Sequence, residues 1–149
     1  MQPTVPKAVI DLTEMVRAAM QRLDRSPLIQ QWELRAFDWV VSAELLAQFE
    51  QTVSEPRLAR RIRPLSSRVL ITKLVTDAVM VRPASVFPHC RDPKDDAVIA
   101  VAVAARADFI VTSDGDLRED AGLVERLRQE HHIRVVWPAE FLEALSSGK

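Results

Sequence analysis

Apolar positions along the chain follow two spacings. Five short runs are mostly apolar and are bounded by polar or helical stretches, which is typical of strands buried on both faces. They cover residues 8–10, 37–41, 78–81, 109–112 and 133–136. Between them, apolar residues recur every three or four positions, as on one face of a helix. This alternation predicts an α/β fold with a central parallel sheet of about five strands and helices on both faces.

The helical spacing also predicts the elements between the strands. Helices are expected at residues 15–23, 28–32, 45–53, 70–75, 98–105, 123–129 and from 138 onward. Ser42 is placed to cap the third of them, and Ser66 or Ser67 to open the fourth. An arginine-rich piece between Pro56 and Pro64 precedes that fourth helix, and we expect the two to form an arm on the main body.

Length and composition narrow the class of protein. A chain of 149 residues is expected to fold as one domain, residues 1–149. A formal net charge of -1 argues against a protein that coats nucleic acid nonspecifically. The single cysteine, Cys90, and the lack of a secretory signal pattern indicate a cytoplasmic protein. The longest apolar run, 97–105, is about half of what a bilayer crossing needs, so no membrane association is expected.

Carboxylates concentrate where the predicted strands end. Asp11 closes the first strand, Glu44 follows the second within three residues, and Asp114 follows the fourth. Asp96 lies at the predicted start of the apolar helix, with Asp95 as the neighbouring candidate. Because ligands of parallel α/β sheets bind outside the carboxyl ends of the strands, we expect these acids to share one site.

The chemistry expected of such a site is that of a hard divalent metal. Carboxylates held close together repel one another unless a cation or protons neutralise them. One cysteine and three scattered histidines give no zinc-ligand spacing, and no Ser-His-Asp or Cys-His order is present. Mg²⁺ or Mn²⁺ would lower the pKa of a bound water and neutralise charge on a phosphodiester in its transition state.

Six motifs in order carry a resemblance to a known family. They are Val9-Ile-Asp11, Trp39-Val-Val-Ser-Ala-Glu-Leu-Leu46, Pro56-Arg-Leu58, Cys90-Arg-Asp-Pro-Lys-Asp-Asp96, Ile110-Val-Thr-Ser-Asp-Gly-Asp-Leu117 and Pro138-Ala-Glu-Phe141. Over nearly the whole chain, this order resembles the PIN-domain ribonucleases, which include the VapC-like toxins of bacterial toxin–antitoxin pairs. The resemblance implies a metal-dependent endoribonuclease with RNA as substrate, a small antitoxin protein as partner, and a homodimer. It implies catalytic and metal-binding roles for Asp11, Glu44, Asp96 and Asp114, with Asp116 as an accessory metal ligand.

The first motif departs from the family pattern. The family usually has Asp-Thr-Asn there, whereas this chain has Asp11-Leu12-Thr13. Thr13 is expected to donate a hydrogen bond to Asp11 if the loop is rebuilt. The alternative is a PIN-like binding or interaction module with impaired catalysis. A phosphatase that forms an aspartyl-phosphate is disfavoured, because Thr13 stands where such an enzyme needs a second acid.

Other conspicuous residues have structural explanations. Asp92 precedes Pro93, as in many turns. The arginines of residues 57–63 are more typical of an exposed helix face than of an RNA track, although a role in guiding a phosphate backbone stays open. Trp32, Trp39 and Trp137 lie on apolar segments and are expected to be core or interface aromatics rather than base-stacking platforms.

Overall fold

A five-stranded parallel sheet forms the centre of the molecule. The computed structural model describes residues 5–83 and 93–147, without the side chains of residues 64, 93–96 and 116. The strands are β1 (Lys7–Ile10), β2 (Asp38–Val41), β3 (Val79–Met80), β4 (Phe109–Val111) and β5 (Arg134–Val136). Their order across the sheet is β3-β2-β1-β4-β5, and every pairing is parallel. The prediction of an α/β fold with a parallel sheet is therefore confirmed.

Helices connect the strands, as the spacing of apolar residues predicted. They are α1 (Leu12–Met20), α2 (Pro27–Glu33), α3 (Ala43–Val53), α4 (Pro56–Ala59), α5 (Pro64–Asp77), α6 (Pro93–Ala105), α7 (Gly115–Arg118), α8 (Ala121–His131) and α9 (Pro138–Ser147). Proline opens five of them, a position where its missing N–H is not needed. The short helix α7 and a 3₁₀ turn at Leu23–Arg25 were not predicted. No helix in residues 5–83 or 93–147 is long and apolar enough to cross a membrane.

The sheet is covered on both faces. Along β1, the side chains of Ala8 and Ile10 enter one core while that of Val9 enters the other, because successive side chains of a strand point to opposite sides. The first core lies under α1, α2, α3, α5 and α9, and the second under α6 and α8. Two-sided burial explains why the three inner strands, β2, β1 and β4, lack polar alternation in the sequence.

Helix α5 belongs to the main body and does not form an arm. Leu70 and Leu74 are fully buried in the core shared with α1 and α3, and Ile62 just before the helix is buried there too. The expectation of a separate arm was wrong. Ile62 lies among exposed arginines in the sequence, but it is buried in the same core as the apolar face of α5. The helix also begins at Pro64, before either predicted serine cap.

Helix α6 runs from the carboxyl edge of the sheet to its amino edge. Just after the helix, the N–H of Asp108 donates to the carbonyl of Lys7, the first residue of β1. The 13 residues of α6 span roughly 20 Å, so the first turn, with Asp95 and Asp96, lies at the opposite edge. The helix begins at Pro93, earlier than predicted. The proline-bounded stretch before α6 also predicts a loop from Pro83 to Pro93, most of which falls on residues 84–92, outside the described residues.

Candidate active site

Asp11 is held where β1 passes directly into α1. Its N–H donates to the carbonyl of Val111 at 2.9 Å, and this bond joins the carboxyl ends of β1 and β4. As the N-cap of α1, its carboxylate Oδ1 accepts from the N–H of Leu12 at 2.7 Å. The residue is only 5% exposed. A carboxylate is thus fixed, nearly buried, at the edge where the sequence predicted the site.

Thr112 supplies the second donor to this carboxylate. Its fully buried hydroxyl donates to Oδ2 of Asp11 at 2.7 Å and accepts from the N–H of Asp114 at 2.9 Å. One hydroxyl therefore fixes both the carboxylate of Asp11 and the backbone of Asp114. The expectation that Thr13 would donate to Asp11 was wrong, because Thr13 lies exposed on the first turn of α1 and its place is taken by Thr112.

Glu14 is a buried acid of the site that the sequence analysis missed. It is 4% exposed, and its carboxylate accepts a hydrogen bond from the Ser113 hydroxyl. Nη1 of Arg17, one turn further along α1, lies 3.5 Å from Oε1 of Glu14. A spacing of three residues places Glu14 near Asp11 on the same helix face, which is the signal that could have found it.

The electrostatics of Asp11 reflect this crowding. Burial raises the pKa of its carboxyl group above the usual value of 3.8, and the negative charges of Asp114 and Glu14 raise it further. The hydrogen bonds from Thr112 and Leu12 act in the opposite direction. Protons or a cation would relieve the repulsion among the three carboxylates.

Glu44 lies at the same edge but outside this hydrogen-bonded group. Ser42 caps α3 as predicted, with its hydroxyl accepting from the N–H of Leu45 at 3.1 Å. Glu44 is therefore in the first turn of α3, directly after β2, which pairs with β1. Its side chain is exposed and makes no hydrogen bond or ion pair with any described residue.

The other predicted acids are located by their backbone alone. Asp95 and Asp96 lie in the first turn of α6, and Asp116 lies in α7 directly after the Asp114 loop. Their side chains are outside the described set. Among the described side chains, no group of three His, Cys, Asp or Glu residues is arranged to hold a metal ion. A complete ligand set would need Asp96 or Asp116 beside Asp11 and Asp114.

The tryptophans divide between core and surface. Trp32 and Trp39 are buried, and their rings meet edge to face with centroids 4.9 Å apart. Trp137, directly after β5, is 42% exposed. Trp137 therefore does not lie in the core, because the chain leaves the sheet one residue before it, and an interface position for it stays a prediction.

A parallel α/β domain with acids gathered at the carboxyl edge of its middle strands defines a class that includes metal-dependent nucleases. A family model described as PIN domain matches residues 7–116, which is more than half of the chain. The chain therefore belongs to the PIN domain family, whose fold is a nuclease fold. No curated protein matches it.

The residues of the site fit a divalent cation by their chemistry. PIN domains are generally dependent on divalent metal. The side chains of Thr112, Ser113, Glu14 and Asp114 beside Asp11 offer oxygen atoms, which hard cations such as Mg²⁺ and Mn²⁺ prefer. Arg17 contacts Glu14 from the next turn of α1. Burial, and after it the charges of Asp114 and Glu14, raise the pKa of Asp11, and a bound cation would favour the ionised carboxylate.

Proposed function

We propose that the protein is a Mg²⁺- or Mn²⁺-dependent endoribonuclease that hydrolyses phosphodiester bonds of RNA. The observation that carries this proposal is the buried Asp11, hydrogen-bonded through Thr112 and crowded by Glu14 and Asp114 at the carboxyl edge of a PIN sheet. A carboxylate serving only as a helix cap has no need of burial beside two other acids.

Each acid has a distinct role in this proposal. Asp11, Asp96 and Asp114 hold the metal, with Asp116 as an accessory ligand. Glu44, exposed at the same edge, holds a second ion or orients the attacking water. Bound Mg²⁺ or Mn²⁺ supplies an activated water and neutralises charge on the phosphate. Thr112 keeps the Asp11 carboxylate in one orientation through its 2.7 Å bond.

A basic surface supports RNA as the substrate. We call the arginines at positions 57, 60, 61 and 63 the arginine segment. All four side chains are exposed, and none forms an ion pair within the described part of the chain. The net charge of the protein is only -1, so this is a local concentration of positive charge. A phosphate backbone is the partner that such a surface attracts.

The path of α5 brings this segment towards the acidic edge. Near its end, Lys73 pairs with Glu33 at 2.8 Å, and Asp77 lines a cavity with Asp38, the first residue of β2. The end of α5 therefore lies at the amino edge. Its 14 residues span roughly 21 Å, more than the length of a four-residue strand. The start of α5 and the preceding arginines thus extend towards the carboxyl edge.

The test is cleavage of single-stranded RNA by pure protein with Mn²⁺ and with EDTA. Cleavage should require Mn²⁺ and should fall at least about 100-fold in Asp96→Asn, which keeps the size of the side chain. Leu34→Ala, at an exposed position next to the amino edge, is the control and should cleave normally. Equal activity of Asp96→Asn, or no cleavage with any divalent metal, would refute the enzymatic proposal.

We infer further that the enzyme acts in the cytoplasm as the toxin of a toxin–antitoxin pair, as a homodimer inhibited by a small antitoxin protein. This inference rests on the motif resemblance to VapC-like toxins. Induced expression should arrest growth, Asp11→Asn should not, and co-expression of a small neighbouring reading frame should restore growth. Normal growth with high levels of active protein would contradict the toxin role while leaving the nuclease intact.

A PIN-like binding module with impaired catalysis is the second candidate. It is favoured by the exposed Thr13, which does not brace Asp11. Calorimetric titration with Mn²⁺ separates the two functions. The nuclease should bind the ion, and Asp11→Ala should lose that binding, whereas an impaired module should show none in either form.

A further inference from the structure

Trp137 lies at the same edge of the sheet as the acids. It directly follows β5, and the N–H of Thr112 donates to the carbonyl of Val136 at 3.0 Å. Trp137 is therefore next to the loop formed by Thr112, Ser113 and Asp114. Neighbouring strands lie about 4.8 Å apart, so Trp137 is roughly 10 Å from Asp11, two strands away. One nucleotide is long enough to extend from Asp11 to Trp137.

The backbone of Trp137 is fixed although its side chain is exposed. Its N–H donates to Oε1 of Glu140 at 2.8 Å, and its carbonyl accepts from the N–H of Phe141 at 2.9 Å. These bonds hold it at the start of α9. The residue is 42% exposed, against 8% for Trp32 and 1% for Trp39. A rigidly mounted aromatic ring at a ligand-binding edge loses little conformational entropy on binding.

Arg118 adds a positive charge to this ring. Its guanidinium carbon lies 3.9 Å from the centroid of the Trp137 ring, and one Nη atom is 3.7 Å from Glu140. The N–H of Arg118 donates to the carbonyl of Asp114 at 3.2 Å. The stacked pair is thus tied to the acidic loop through one turn of α7.

We propose that Trp137 and Arg118 form a stacking subsite for one nucleobase of single-stranded RNA, beside the acidic edge. This proposal rests on RNA being the substrate. A base stacks on the exposed part of the indole, and the stacked guanidinium adds cation–π attraction and charge for the adjacent phosphate. Because bases in a duplex are already stacked, the subsite selects single strands or unpaired loops. The subsite would set which nucleotide lies next to the cleaved bond.

The experiment measures binding without cleavage, using Asp11→Asn protein in EDTA and a short single-stranded RNA. Tryptophan fluorescence reports on Trp137, since Trp32 and Trp39 are buried. The RNA should quench this fluorescence, and an abasic oligonucleotide of the same length should not. Trp137→Ala, built in the same background, should bind the RNA roughly tenfold more weakly. Trp137→Phe, which keeps a ring, should bind within a few-fold of the parent but without quenching.

Leu34→Ala in the same background is the matched control, since Leu34 is a 73% exposed apolar residue near the amino edge. It should bind like the parent. The proposal is overturned if Trp137→Ala binds like the parent, if Trp137→Phe binds as weakly as Trp137→Ala, or if the abasic strand quenches equally. Absence of RNA-dependent quenching would also overturn the stacking subsite. The exposed ring of Trp137 would then be assigned to contact with a protein partner. Base-dependent quenching by RNA that the wild-type protein cannot cleave would keep the subsite and refute the nuclease.

Discussion

Thr112→Val removes a hydroxyl and two hydrogen bonds while nearly keeping the shape of a fully buried side chain. One lost bond is the donation to Oδ2 of Asp11, and the other is the acceptance from the N–H of Asp114. Thr112→Ser is the matched control, because it keeps the hydroxyl and loses only a methyl group. Comparing the two variants isolates the hydrogen bonds of the site from the packing of the core.

The magnitude follows from the two contacts. A hydrogen bond to an ionised carboxylate contributes about 1.5–3 kcal/mol, and a neutral one about 1 kcal/mol. The valine variant should therefore lose about 2.5–4 kcal/mol of unfolding free energy at neutral pH. The serine variant should lose only about 1 kcal/mol, for one buried methyl group. This difference is large for a domain whose total stability is about 5–15 kcal/mol.

The penalty should depend on pH with a definite sign. The pKa of Asp11 is raised in the folded protein, chiefly by burial, so unfolding releases a proton between 3.8 and that raised value. The contribution of Asp11 to stability is therefore present at low pH and is lost as pH rises through its folded pKa. Thr112 lowers this pKa, so the valine variant should raise it further. The unfolding free energy lost by the valine variant, relative to the serine variant, should be greatest at pH values where Asp11 is ionised and smaller where Asp11 is protonated.

Urea denaturation in EDTA, at neutral pH and near pH 4, measures both effects. Metal must be absent, because a bound ion would stabilise the folded state by itself. Equal unfolding free energies for the valine and serine variants at neutral pH would refute the reasoning. So would a difference between them that increases on acidification.

Three further changes test neighbouring parts of the site. Glu14→Gln should lower the pKa of Asp11, since it removes a nearby negative charge but can keep the Ser113 bond; an unchanged or higher pKa in an NMR titration would contradict this. Asp11→Asn should abolish RNA cleavage. In EDTA, the stability of this variant relative to the wild type should rise as pH increases above 3.8, because only the wild type ionises a buried carboxyl group. Melting temperatures from pH 4 to 7 that show no such trend would count against a destabilising buried charge. Replacing the four arginines of the arginine segment by glutamine should reduce the slope of log K for single-stranded RNA against log salt by up to about 3, and an unchanged slope would exclude the segment from the RNA path.

The sheet and its acidic edge could be predicted from the sequence because both follow from local patterns. Short apolar runs such as 8–10 and 109–112 specify buried strands, and helices between them require parallel crossovers. Parallel strands share a carboxyl edge, so residues that follow β1 and β4 must come together. Asp11 and Thr112 meet across a sequence separation of 101 residues for this reason.

The rest of the site depends on contacts that no local pattern contains. Glu14 looks like an exposed polar residue of α1, yet it is buried, and the hydroxyl that donates to it belongs to Ser113, 99 residues away. The choice of Thr112 over Thr13 as the donor to Asp11 depends on where α1 begins. With Leu12 already helical, the Thr13 side chain points to solvent. Trp137 counted as apolar in the pattern, yet the sheet ends one residue before it.

The capping role of Asp11 bears directly on the choice between nuclease and impaired module. A cap needs one carboxylate oxygen to accept a backbone N–H, and serine or threonine would serve equally well without a buried charge. Asp11 instead keeps its second oxygen hydrogen-bonded to Thr112, and burial, together with the nearby acids, raises its pKa. A module that never binds metal would be more stable with a neutral cap here. A buried, doubly bonded carboxylate beside Glu14 and Asp114 therefore supports the proposed nuclease over the impaired module. Of the two altered residues, Leu12 contributes its backbone N–H to Asp11, and the part of the bracing that Thr13 was expected to supply comes from Thr112.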